Sequence, residues 1–136
     1  MIEFIYANPV IEAVQRTGTE VLVRHADCKD KNAAGWYELN PPKKIDQLVI
    51  CPNNHRNYSD LADTIRHEAW HVVQACYGGA LTKRHQSTSV LEQSTIKHIK
   101  ATYPESHLDK EYEAWAIAEH ASETYVVRAL NARCYQ

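Results

Sequence analysis

From Ser59 to Tyr77 the chain carries neither proline nor glycine, and Gly78-Gly79 follows at once. This run constrains the fold more than any other feature, because its apolar residues recur at helical spacing. On a helix of 3.6 residues per turn, Leu61, Ile65, Ala69, Val72 and Cys76 fall on one side. Ser59 serves as N-cap, Asp60 and Asp63 suit the dipole in the first turn, and the glycine pair is the stop. The run predicts one long helix with one face committed to a core.

Upstream, Asn8-Pro9 reads as an N-cap followed by proline at the first helical position, with Gly18 as the stop, for a short helix over about 9–17. Three β-like runs follow, at residues 20–25, 35–39 and 46–51. Asn40-Pro41-Pro42 between the last two predicts a hairpin, and Pro52-Asn53-Asn54 closes the strand region. Beyond the glycine pair, helices are expected over about 88–102 and about 108–134, the second rich in alanine. Strands first and helices after predict an α+β domain with a small antiparallel or mixed sheet. With 136 residues and no repeat or linker, residues 1–136 read as a single domain long enough to bury its own core.

The formal net charge is −2, and no basic cluster interleaves with aromatics, so no nucleic-acid partner is expected. No segment approaches the roughly 20 apolar residues of a membrane span. The N-terminal stretch carries Glu3 and no long apolar run, so a signal peptide is not expected and a cytoplasmic location is. Four cysteines lie far apart with no C-x-x-C pair, against a cysteine zinc finger or a thioredoxin-type site. Free thiols are expected, with Cys76 as a small buried hydrophobe on the helix of residues 59–77.

That helix carries His67-Glu68-Ala69-Trp70-His71. The two histidines fall off the core stripe, beside Asp60, Asp63, Thr64 and Gln74. Imidazoles one turn apart can converge on one metal ion. Glu68 lies about 100° round from His67, where its carboxylate can serve a metal-bound water without being an obligatory ligand. A catalytic zinc needs a third protein ligand and an open fourth position. A third histidine six residues on, with glycine before it, would meet that need, but Gln74 and Tyr77 stand at those places. Glu111, Glu113, Glu119 and His120 are the downstream alternatives.

HEAWH followed by EYEAWAIAEH (residues 111 to 120) resembles the gluzincin arrangement of zincin metallopeptidases. There H-E-x-x-H lies on one helix and a glutamate, commonly followed by alanine, comes from a second. The resemblance implies one Zn²⁺ held by His67, His71 and Glu113, and a zinc-bound water activated by Glu68 to hydrolyse a peptide or protein substrate. It also implies a small sheet ahead of the active-site helix, with an edge strand that binds an extended substrate. The run Leu48–Cys51 is the candidate edge. Glu113 sits at the margin of a small-residue face that includes Ala114, Ala118 and Ala121, while Glu111 points into that face. Tyr112, His120 and His107 are nominees for a transition-state donor, and Trp70 and Trp115 for packing. Many gluzincins place an acid where Ile117 stands, so support for His67 would come from Asp109 or Glu123. The alternative is a zincin-like fold that binds or regulates without catalysis.

Overall fold

The computed structural model describes residues 2–23, 26–31 and 33–135, with the backbone alone at residues 30 and 31. Two short helices open the chain, α1 (Ile2–Ala7) and α2 (Pro9–Arg16). Asn8 caps α2 as its sequence predicts, its Oδ1 accepting from the Val10 N–H at 2.8 Å. No start signal announces α1, which is held by tertiary contact: its Ile5 is fully buried in the main core.

The sheet has three strands, β1 (Glu20–Leu22), β2 (Gly35–Asn40) and β3 (Ile45–Ile50), in the order β1-β3-β2. Helix α3 (Asp27–Lys31) lies between β1 and β2 in sequence. The expected hairpin forms, β2 antiparallel to β3, turned by residues 41–43 and by Lys44 at φ 56°. β1 pairs parallel to β3, so the sheet is mixed. Leu48 faces Val21 on one side and Tyr37 on the other. The stretch expected to be an edge for substrate is therefore the saturated centre of the sheet, and β1 and β2 are the edges. The first strand ends at Leu22, and Arg24 and His25 of the expected run lie outside the described residues.

Helix α4 (Tyr58–Tyr77) is the long helix the sequence predicts. Its N-cap is Asn57 rather than Ser59, with Oδ1 accepting from the Asp60 N–H at 2.9 Å. It stops where Gly78 adopts φ 103°, a conformation that favours glycine. Leu61, Ile65, Ala69 and Val72 are buried as the stripe requires, packed with α2 and the sheet.

After α4 come α5 (Arg84–Thr88), α6 (Gln93–Thr102), α7 (Leu108–His120) and α8 (Glu123–Cys134). The stretch expected as one helix over 108–134 is helical but breaks at Ala121-Ser122. Ser122 Oγ caps α8 by accepting from the Tyr125 N–H at 3.1 Å. The break lets the two pieces pack separately. Val126 and Leu130 of α8 enter the main core, whereas Leu108 and Tyr112 of α7 join Leu91 and Ile99 in a second cluster. Ala114 and Ala118 are buried, so the small-residue face holds on α7 and ends with it. Among the described residues no helix is long and apolar enough to cross a membrane.

The cysteines correct the expectation of free thiols: Cys28 bonds to Cys51 and Cys76 to Cys134, with Cα–Cα distances of 5.6 and 5.2 Å. Cys76 is exposed rather than buried, and it ties the end of α4 to the end of α8. The bridges span 23 and 58 residues, so loop closure gives each a stabilising effect of about 3–4 kcal/mol. Thiol titration of the denatured, unreduced protein is expected to find no reactive cysteine and, after reduction, all four. Reactive thiols before reduction would contradict the pairing.

Candidate metal centre

Helix α4 turns His67 and His71 towards α7, one turn apart, with ring centroids 5.0 Å apart. Opposite them stands the Glu111 carboxylate: Oε1 lies 3.3 Å from His67 Nε2 and Oε2 3.0 Å from His71 Nε2. Glu68 is buried beside them, with Oε2 3.9 Å from His67 Nε2. Ligand atoms of His67, Glu68 and His71 lie within 4.8 Å of one another, and this group could hold a metal ion. Glu111 adds a second carboxylate, closer to both imidazoles than Glu68 is to His67.

The downstream acid that reaches the pair is thus Glu111, whereas Glu113, the acid expected there, meets other partners. Residues two apart on a helix point about 200° apart, so Glu111 and Glu113 meet different side chains, the imidazoles for the first and Trp70 and Gln74 for the second. Glu111 shares the α4-facing side of α7 with Ala114 and Ala118, whose small side chains let the helices approach. The carboxylate that sequence reasoning judged badly placed unless paired is paired, by two imidazoles.

Glu113 is saturated elsewhere. Its oxygens accept from Trp70 Nε1 at 2.7 Å, Gln74 Nε2 at 3.0 Å, the Leu81 N–H at 3.1 Å, the Thr82 N–H at 2.6 Å and Thr82 Oγ1 at 2.5 Å. Burial opposes its charge, but the donors from Gln74, Thr82, Trp70 and Leu81 hold its carboxyl below the ordinary carboxylate range. Glu119 and His120 lie at the far end of α7. There His120 Nε2 donates to the Val90 carbonyl at 2.9 Å and stands 3.7 Å from Glu119.

Burial opposes ionisation of Glu111 as well, yet His67 and His71 draw its carboxyl down to about 2. For His71, burial favours the neutral ring, and the Glu111 hydrogen bond with the charges of Glu68 and Glu111 raises it to about 9. Without metal the pair is an imidazolium closed on a carboxylate, and a divalent cation would take the proton's place. Glu111 Oε1 is buried without a hydrogen bond, so the site retains an acceptor that the protein leaves unsatisfied. Two imidazole nitrogens and a carboxylate oxygen are a donor set that suits zinc.

The cluster lies between two open cavities. One of about 500 Å³ is bordered by Tyr37, Leu39, Gly78, His107 and Lys110. The other, of about 550 Å³, is bordered by Gly35, His98, Tyr103 and Trp115. Gly35, Tyr37 and Leu39 alternate along β2, so one face of that edge strand borders both cavities. At Gly35 a Cβ would stand 2.6 Å from the Val49 carbonyl, which is why glycine begins the strand.

Of the expected donors, Tyr112 is fully buried in the second core and His120 caps Val90, both away from the cluster; His107 borders one cavity. Sequence reasoning missed Tyr103, which borders the other cavity beside Glu68 and His67. Burial and the nearby charges of Glu111 and Glu68 raise its hydroxyl to about 12, so it stays a proton donor. A tyrosine before a proline reads as a helix end, and nothing local marks it as facing the histidines. Trp115 packs as expected, but on the site: its ring meets His67 edge-on at 5.7 Å. Asp109 pairs with Arg84 at 2.6 Å rather than with His67.

Glu113→Ala removes an acceptor from several buried donors and is expected to destabilise the fold by about 3 kcal/mol or more. Glu111→Ala breaks an ion pair, but His71 can answer by losing its proton, so the cost is expected to be smaller. Denaturant unfolding of both variants checks the order, and equal losses would contradict the division of roles.

No curated protein and no solved structure matches the chain. A family model described as a domain of unknown function, DUF8637, matches residues 2–135, and the chain belongs to that family.

Proposed function

We propose that this chain is a zinc-dependent peptidase that cleaves extended peptide segments. The observation that carries the reading is the convergence of His67, His71 and Glu111 beside Glu68, in a cleft open at both ends. His67, His71 and Glu111 would hold the ion. When bound, zinc supplies Lewis acidity and lowers the pKa of a coordinated water to about 7.

The chain's own groups do the rest. Glu68, buried and within 3.9 Å of His67, takes the proton of the attacking water and returns it to the leaving amine. Tyr103, kept protonated, donates to the oxygen on which charge develops. β2 is an edge strand of the sheet among the described residues, and an extended peptide laid along it by main-chain hydrogen bonds would run across both cavities. Two disulfides favour an oxidising compartment over the cytoplasm expected from sequence.

Metal analysis tests the reading. The wild type should carry about one zinc per chain, Glu111→Ala should lose it, and Glu68→Gln should retain it while peptide cleavage falls at least 100-fold, about the range of general-base catalysis. Zinc retained in Glu111→Ala would refute the ligand set. Zinc bound by a wild type that cleaves no peptide would favour a binding protein instead.

A further inference from the structure

Glu113 and Gln74 form a chain of contacts that ends on His71. Gln74 is 1% exposed, and its amide nitrogen faces two acceptors, the Lys110 carbonyl at 3.0 Å and the Glu113 carboxylate at 3.0 Å. Neither partner can donate, so that atom must be the NH₂ group. The other amide atom is then the carbonyl oxygen, and it lies 2.8 Å from His71 Nδ1. A carbonyl only accepts, so Nδ1 must carry the hydrogen. The remaining nitrogen, Nε2, is the one aimed at Glu111.

We propose that Gln74, itself oriented by Glu113, is a positioning residue that locks the His71 ring with Nδ1 protonated and Nε2 presented to the metal. The proposal rests on the zinc reading above and adds the device that prepares one ligand. An imidazole free to flip or to protonate Nε2 would present the wrong atom, and a partner on its other nitrogen removes that freedom. Glu113 acts through Gln74. With both oxygens already engaged by α4 and the segment at Leu81-Thr82, it holds the amide in one orientation. His67 has a different support, the T-shaped contact with Trp115, so the two ligands are fixed by separate means.

The first test needs no substitution. In ¹⁵N-labelled wild type, the His71 Nδ1–H should appear as a slowly exchanging imidazole proton, both zinc-loaded and after chelation. Its absence in both states would overturn the proposal. The second test is Gln74→Met, which keeps the volume and removes both the donor and the acceptor. Its zinc dissociation constant should rise roughly 10- to 100-fold, with the Nδ1–H signal lost and circular dichroism unchanged. A dissociation constant within about twofold of wild type, with the fold intact, would overturn the proposal. Should wild type bind no zinc, the zinc reading fails, and the spectrum of the metal-free protein still decides the orientation of His71.

Discussion

A carboxylate shut between two helices must be met by donors, and Glu113 is met from two directions. Trp70 and Gln74 reach it from α4, and the main chain at Leu81-Thr82 closes over it from the connection that follows. Because Glu113 stands on α7, these bonds set the separation and rotation of α7 against α4. Removing the charge would leave their donors buried without a partner, a larger penalty than the bonds' own net worth. The same rotation carries Glu111, about 200° away, onto the imidazoles of α4. The arrangement of the site thus follows from a contact outside it.

At the site the balance is different. Glu111, His67 and His71 are shielded from solvent but not saturated, and one Glu111 oxygen lacks a hydrogen bond. Burial works against the charges of Glu111 and His71, and their mutual attraction overcomes it, which suits a position where a cation replaces a proton. Two buried glutamates two residues apart therefore have opposite characters, one satisfied and one waiting. Pocket walls add to this contrast: β2 and Tyr103 leave the cluster open at both ends, whereas the surroundings of Glu113 are closed.

Features governed by neighbours in sequence were legible. The Asn8-Pro9 start, the glycine stop of α4, the hairpin at Asn40-Pro41-Pro42 and the turn-spaced histidines all depend on a few consecutive residues. Features governed by distant partners were not. Helix α1 exists because Ile5 reaches the core, and the break at Ala121-Ser122 lets α7 reach a second core through Leu108 and Tyr112 while Val126 and Leu130 of α8 stay in the main one. Cys76 sits in phase with an apolar stripe, yet it pairs with a cysteine 58 residues away. The choice between Glu111 and Glu113 depended on which of them the rotation of α7 brings onto the imidazoles. The short Glu-Ala match favoured Glu113; the burial of Ala114 and Ala118 puts Glu111 there instead.

The central claim is that His67, His71 and Glu111 share one zinc ion. Anomalous diffraction at the zinc edge from crystals of the zinc-loaded protein tests it most directly. A single peak is expected about 2.0–2.2 Å from Nε2 of both histidines and from a Glu111 oxygen, with Glu113 still bound to Trp70 and Thr82. A peak bound by Glu113, or no peak between α4 and α7, would contradict the claim.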